Sequence, residues 1–335
     1  MLKVGVVGAG NMGEDHLRRL AAGIAGAEVV AVSDVNVELA KRVADGVGAA
    51  RVHAEGHDLV GDGEVQAVLV ASPASTHEAF TLACIAAGKP VLCEKPLAPT
   101  TDACLRVVEA EAARSERLVQ VGFMRRYDHG YQAMQQVLAA GSIGAPLLVH
   151  CAHRNPTAGA GVTSDMLVTE SVVHEIDVTR WLLGQEIVAA SVLRPRRSSL
   201  GEAGLQDPQL VLLETEAGVL VDVEVFVRCQ YGYDIRCEVV GESGTVSLAE
   251  PEGVHGRQQG RRSSQVPVDW RDRFARAYHT ELQAWVDGVR GGAVGDPSAW
   301  DGYVTTAVAE GCLEALAEQR RVVVDLPERP VLYAR

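Results

Sequence analysis

Several groups of residues in this chain have the types and spacing that chemistry requires. Gly8-Ala9-Gly10-Asn11-Met12-Gly13 is a G-x-G-x-x-G string set after the apolar run Val4–Val7 and before a helix-like stretch. Alone such a string is weak; between a strand and a helix it is informative. Gly8 allows a tight turn, Gly10 lets a pyrophosphate reach the backbone, and Gly13 lets helix pack close on strand. The helix start, Asn11 and Met12, then offers free N–H groups to the anion. Asp34 ends the next apolar run, where a carboxylate can bind adenosine ribose hydroxyls and repel a 2′-phosphate. The expected cofactor is therefore NAD rather than NADP. A Gly-rich turn with no cofactor is the bland alternative.

Glu94-Lys95-Pro96 follows another apolar run, Pro90–Cys93. A lysine there can stabilise a developing alkoxide; a solvated surface lysine is the other reading. Ser72 and Glu94 stand at the ends of such runs, where ligands lie in open α/β sheets, and count as cofactor contacts. His77, on the helix after Ser72, fits a cofactor contact or a packing residue equally. Glu170, His174 and Asp177 are spaced i, i+4 and i+7, one face of a helix. A carboxylate beside a histidine fixes its tautomer and raises its basicity, so His174 could take a hydroxyl proton and Glu170 orient it. The competing reading is an ordinary surface pair. His150, His153 and His174 are close in sequence but form no metal-ligand motif, and no metal is expected.

The elements that must position these groups follow from the apolar pattern. Leu2–Val7, Glu28–Ser33, Val65–Ala71, Pro90–Cys93 and Leu118–Val121 read as buried strands, alternating with helices over Asn11–Ala22, Val37–Gly46, Ser75–Ala87 and Thr101–Glu116. That alternation predicts a parallel sheet covered on both faces, a dinucleotide-binding Rossmann domain over 1–122. The pattern then changes. A helix is expected over Tyr127–Ala140, a strand over 145–153 and a helix over Ser171–Leu183. Strands joined by short turns follow: Ile187–Leu193, Gln209–Thr215, Val219–Arg228, Tyr233–Val240 and Thr245–Leu248. This predicts a mainly antiparallel sheet in an α+β domain over 123–335. Residues 252–265 read as an exposed polar loop. Helices over Trp270–Arg290 and Ser298–Gln319 and a strand over Val322–Leu326 complete the chain. The fold class is α/β with two domains.

With 335 residues and about half of them apolar, the chain can bury two cores. A net charge of −13 argues against nucleic-acid or membrane-surface partners. The cysteines, at 84, 93, 104, 151, 229, 237 and 312, sit largely in apolar runs without metal spacing, as expected of reduced thiols in a cytoplasmic protein. No basic stretch with a cleavage site opens the chain, and no run of about 20 apolar residues suggests a membrane span.

Taken together these residues resemble the glucose–fructose oxidoreductase / inositol dehydrogenase (Gfo/Idh/MocA) family, and within it the inositol-oxidising branch. The resemblance covers Gly8–Gly13, Glu94–Leu97 (EKPL), Val119–Asp128 (VQVGFMRRYD), His150–Pro156 (HCAHRNP), Val173–Asp177 (VHEID), Tyr231–Ile235 (YGYDI) and Ala299–Tyr303 (AWDGY). It implies a Rossmann domain followed by a domain with an open, mainly antiparallel sheet. It also implies NAD-dependent oxidation of a ring hydroxyl of myo-inositol to an inosose. Lys95 and His174 become catalytic, and Arg125, His153, Asn155 and Tyr233 become candidates for gripping ring hydroxyls. A homotetramer built through the open sheet is implied as well. One position departs from the branch, which commonly has Asp where this chain has Glu170. The extra methylene adds about 1.5 Å of reach, with which the carboxylate can still partner His174 or reshape the pocket for another inositol stereoisomer or a related cyclitol; an aldose is a separate substrate alternative. A nucleotide-sensing regulator without chemistry is the remote alternative.

Overall fold

The computed structural model describes residues 1–249 and 255–334. They form two compact units. The first comprises Met1–Met124, Tyr278–Thr306 and Pro327–Arg335, and the second comprises Arg125–Ala277 and Ala307–Leu326.

The first unit is built on strands β1 (Leu2–Val7), β2 (Ala27–Ser33), β3 (Arg51–His53), β4 (Ala67–Val70), β5 (Val91–Glu94) and β6 (Val119–Gly122). They pair in parallel in the order β3-β2-β1-β4-β5-β6. Between them run α1 (Asn11–Ala22), α2 (Val37–Val47), α3 (Gly56–Gly61), α4 (His77–Ala87) and α5 (Thr101–Arg114). Every residue of β4, β5 and β6 is buried, which is why these strands read as unbroken apolar runs. β3 and α3 were not expected. β3 is a three-residue edge strand with a single apolar residue, too short to make a pattern. The strand order reverses between β1 and β4, and their carboxyl ends are where such sheets bind ligands. Val4, Val6, Leu17, Val32 and Leu69 share a core with Leu282, Trp285 and Val286, which arrive from far along the chain.

The second unit carries α6 (His129–Ala139), β7 (Pro146–Arg154), α7 (Ser164–Met166), a π-helical turn over Leu167–Val172 and α8 (Val173–Leu183). The strands β8 (Ile187–Leu193), β9 (Gln209–Thr215), β10 (Leu220–Phe226), β11 (Asp234–Gly241) and β12 (Thr245–Ser247) follow. With β15 (Val322–Val323) they form a seven-stranded sheet, β12-β11-β7-β10-β9-β8-β15, in which only β7 and β10 pair in parallel. Burial alternates along β9 and β10, so one face of the sheet is packed and the other is open. α6 and α8 pack together, and α8 also packs on β7.

The expected polar loop over 252–265 is in part a hairpin, β13 (His255–Gln258) paired with β14 (Arg261–Ser264). Its residues 252–254 lie outside the described residues. β14 is exposed throughout, so it lacked the apolar alternation that announces a strand. Two long helices complete the fold, α9 (Trp270–Arg290) and α10 (Ala299–Glu318). Residues 270–277 group with the second unit and 278–290 with the first; α10 divides after Thr306.

Candidate functional site

In the first unit the glycine turn links β1 to α1. Gly8 has φ +98°, and a Cβ there would lie 2.5 Å from the Ser72 backbone nitrogen and 2.6 Å from the Ala71 carbonyl oxygen. A Cβ on Gly13 would stand 1.9 Å from the Gly8 carbonyl oxygen, so α1 can approach β1 this closely only with glycine. Gly10 differs, because nothing lies within 4 Å of where its Cβ would be. Its bare backbone faces open space at the amino end of α1, beside Asn11 and Met12, where an anion gains most from unpaired N–H groups. Asp34 closes the cradle. One carboxylate oxygen accepts the Ala9 N–H at 2.8 Å and the other the Asn36 N–H at 2.8 Å. That fixes a negative charge beside the glycine turn. Ser72, after β4, shares a 2.7 Å hydroxyl–hydroxyl hydrogen bond with Thr76. These residues fit a dinucleotide: a tight turn, an open backbone and a carboxylate at the end of β2.

Lys95 sits just past β5 in the same unit. Glu94, before it, is buried and accepts hydrogen bonds from the His16 ring at 2.6 Å and from the Lys95 backbone N–H at 3.1 Å. Burial alone would raise the Glu94 pKa; the hydrogen bond from His16, the positive charge of Lys95 and the Lys95 backbone N–H hold it below the usual carboxylate range. His77 is 2 % exposed, and its ring nitrogens contact the carbonyl oxygens of Pro96 and Ser72. The polar atoms of Glu94 and His77 are thus engaged by protein groups on either side of Lys95. His16, on α1, escaped the sequence reading because a single histidine on a helix carries no pattern.

The other expected residues lie in the second unit. Arg125 is 1 % exposed and pairs with Glu175, which is 0 % exposed. The Glu175 carboxylate also contacts the His153 Nδ1 at 3.1 Å. Burial would raise the Glu175 pKa, but the Arg125 charge and His153 outweigh it and keep the group ionised. The His153 ring lies 6.2 Å from the His174 ring and 6.0 Å, edge-on, from Tyr233. Asn155 follows His153 at the end of β7, and its side-chain oxygen is buried with no hydrogen-bond partner. Arg125, His153, His174 and Tyr233 therefore come together as a continuous cluster.

The α-helical spacing expected for Glu170, His174 and Asp177 holds only for the last two, because Glu170 stands on a different kind of turn. Residues 167–172 form a π-helix, so α-helical spacing begins only at Val173. Glu170 is exposed, His174 is buried, and Asp177 is buried in a paired contact with Arg126, 3.0 Å from its Nε. Glu175 was missed as well. Its signal was available: the H-E-I-D string sits between apolar residues on every side, which marks a buried helix, and buried charges need partners.

Among the described residues no group of three or more His, Cys, Asp and Glu side chains could hold a metal ion, and no helix is long and apolar enough to cross a membrane.

Comparison with known proteins agrees with this geometry. Residues 2–123 match the model described as oxidoreductase family, NAD-binding Rossmann fold, and residues 135–326 its C-terminal alpha/beta domain. The chain is 53% identical over 333 residues to inositol 2-dehydrogenase of Pseudomonas fluorescens (strain SBW25), covering 99% of both proteins. It is 54% identical over 332 residues to inositol 2-dehydrogenase 3 of Saccharopolyspora erythraea, covering 99% of this chain and 98% of the other. Among solved structures, the myo-inositol dehydrogenase of Lactobacillus casei in complex with NAD(H) and myo-inositol superposes with a TM-score of 0.97 at 37% identity, covering all of both chains. The glycine turn, the Asp34 carboxylate, the two-unit architecture and similarity along the whole length agree, and the chain belongs to the Gfo/Idh/MocA oxidoreductase family, with its NAD-binding Rossmann fold.

Proposed function

We propose that this protein is an NAD-dependent dehydrogenase that oxidises a ring hydroxyl of myo-inositol to the inosose. The observation that carries the reading is the full-length similarity, at 53% identity, to a protein named inositol 2-dehydrogenase. Bound NAD supplies the acceptor for the hydride that leaves the carbinol carbon. The glycine turn, Asn11, Met12, Asp34 and Ser72 would hold it. His174 takes the hydroxyl proton, with Glu170 to orient its ring. Lys95 donates a hydrogen bond to the same oxygen and offsets the charge that develops on it. Arg125, His153, Asn155 and Tyr233 grip the remaining hydroxyls. Support for this comes from the unpartnered side-chain oxygen of Asn155, an acceptor that a ring hydroxyl would satisfy. Glu170, placed on a π-helical turn, favours a second substrate reading within the same class, another inositol stereoisomer or a related cyclitol.

A panel of inositols, other cyclitols and aldoses, each with NAD and NADP and followed by reduced-nicotinamide absorbance, tests the assignment. The largest kcat/KM is expected for myo-inositol with NAD. A larger value for an aldose overturns the substrate; NADP in preference to NAD overturns the role of Asp34.

The open face of the second unit's sheet supports a homotetramer. Leu148, Leu193, Leu220 and Val323 are exposed there, beside the pair His150–Asp222 and the Arg154 side chain, which bonds Glu224 at 2.6 Å and Asp234 at 3.2 Å. A surface of this kind fits a second copy of the chain. Leu148→Glu with Leu220→Glu should lower the mass seen in solution; an unchanged mass overturns that placement. The cytoplasm is the proposed compartment, supported by seven free cysteines of which six are buried.

A further inference from the structure

His77 opens α4 with its ring enclosed between two turns. Its Nδ1 lies 2.7 Å from the Pro96 carbonyl oxygen and its Nε2 2.8 Å from the Ser72 carbonyl oxygen. A peptide carbonyl can only accept. A neutral imidazole has one N–H and one bare nitrogen, so one of the two contacts would set lone pair against lone pair inside the protein. The imidazolium donates from both nitrogens and satisfies both contacts.

We propose that His77 is a positioning residue held as an imidazolium, whose two N–H groups tie the Pro96 carbonyl to the Ser72 carbonyl and so fix the Lys95 turn against the turn after β4. The proposal rests on the reading of Lys95 as the group that touches the substrate oxygen. On the other side of Lys95 the same logic recurs, with Glu94 accepting both the Lys95 N–H and the His16 ring. Lys95 is thereby bracketed by histidines of α1 and α4, the helices that follow β1 and β4, where the strand order reverses. Such fastening matters because misplacing a reacting group by about 1 Å can cost about a hundredfold in rate.

The groups around His77 permit the charge. Cys93 faces it from β5, and the carbonyls reach it from the two turns. Glu78, next on α4, is engaged by Arg106 of α5 at 2.5 Å. Burial pulls the His77 pKa down, but Cys93 and the two carbonyl acceptors outweigh it and lift the value to about 9.

Two measurements test this. In 15N-labelled protein with His77 assigned through bonds, both ring nitrogens should carry protons from about pH 6 to about pH 8. A bare ring nitrogen at pH 7 overturns the proposal, and this arm needs no variant that folds. In the second arm, His77→Gln, Lys95→Ala and the double variant are compared. His77→Gln should lower kcat about tenfold to a hundredfold with KM for the polyol little changed, and should add little to the loss in Lys95→Ala. Losses that multiply show that His77 does not act through Lys95, and they overturn the proposal while the reading of Lys95 stands. Normal turnover in Lys95→Ala alone overturns the reading of Lys95, and the proposal with it.

Discussion

Replacing Glu175 with Leu should destabilise the second unit far more than an ordinary helix substitution. Glu175 and Arg125 are 0 % and 1 % exposed, and they pair directly. Removing the carboxylate leaves a guanidinium in the interior with its charge uncompensated, at a cost of about 3–5 kcal/mol. For a domain of this size each kcal/mol moves the melting temperature by about 2–4 °C, so a fall of about 6–20 °C is expected. The ordering of effects is more specific than the size. In Arg125→Met with Glu175→Leu the stranded charge is gone and apolar volume replaces it, so much of the stability should return. Thermal melting followed by circular dichroism, on both single variants and the double, reads this directly. A fall below about 3 °C for Glu175→Leu, or a double variant no better than the worse single, would refute the argument that burial makes this pair interdependent. The acid side gives an independent check. Glu175 has a folded pKa below its ordinary 4.5, so its stabilisation is present above that pH and is lost as pH falls through the lower folded value. Glu175→Gln should therefore melt with a flatter pH dependence below about pH 4.5 than the parent.

Other outcomes follow from the same geometry. Gly13→Ala places a Cβ 1.9 Å from the Gly8 carbonyl oxygen, so α1 must move away from the turn and NAD affinity should fall at least about tenfold by fluorescence titration; an unchanged Kd counts against the cradle. Lys95→Ala should lower kcat by about 100- to 1000-fold, the scale of losing one preorganised donor to a developing oxyanion, with little change in melting temperature. For His77 the folded pKa of about 9 lies above the ordinary 6.5. Its stabilisation is complete below about pH 6.5 and is lost as pH rises through about 9. Between those limits the parent should lose more stability than His77→Phe, and parallel pH curves would contradict the assignment.

Much of this was legible in the residues because it depends on local patterns. The glycine string needs only a strand before it and a helix after it, and both are written in neighbouring residues. The buried strands of the first sheet showed as apolar runs, and the alternation along Gln209–Thr215 announced a half-packed strand with its ends in place. What failed was also physical. β3 and β14 have too little apolar content to signal pairing. The π-helical turn at 167–172, on which Glu170 stands, leaves no mark in the residue types, so the segment read as an ordinary helix.

By itself the sequence determined the order of the longer strands and helices, the glycine turn with its carboxylate at Asp34, and the residue types a polyol dehydrogenase needs. Those are properties of segments, fixed by periodicity and by the stereochemistry of single residues. Tertiary structure alone decided that Glu175 stands between Arg125 and His153, that His77 spends both ring nitrogens on backbone carbonyls, and that Leu282 and Trp285 complete a core begun at Leu2. Hydrogen bonds and ion pairs between residues far apart in sequence depend on which surfaces the packed core brings together, and no local pattern records that choice.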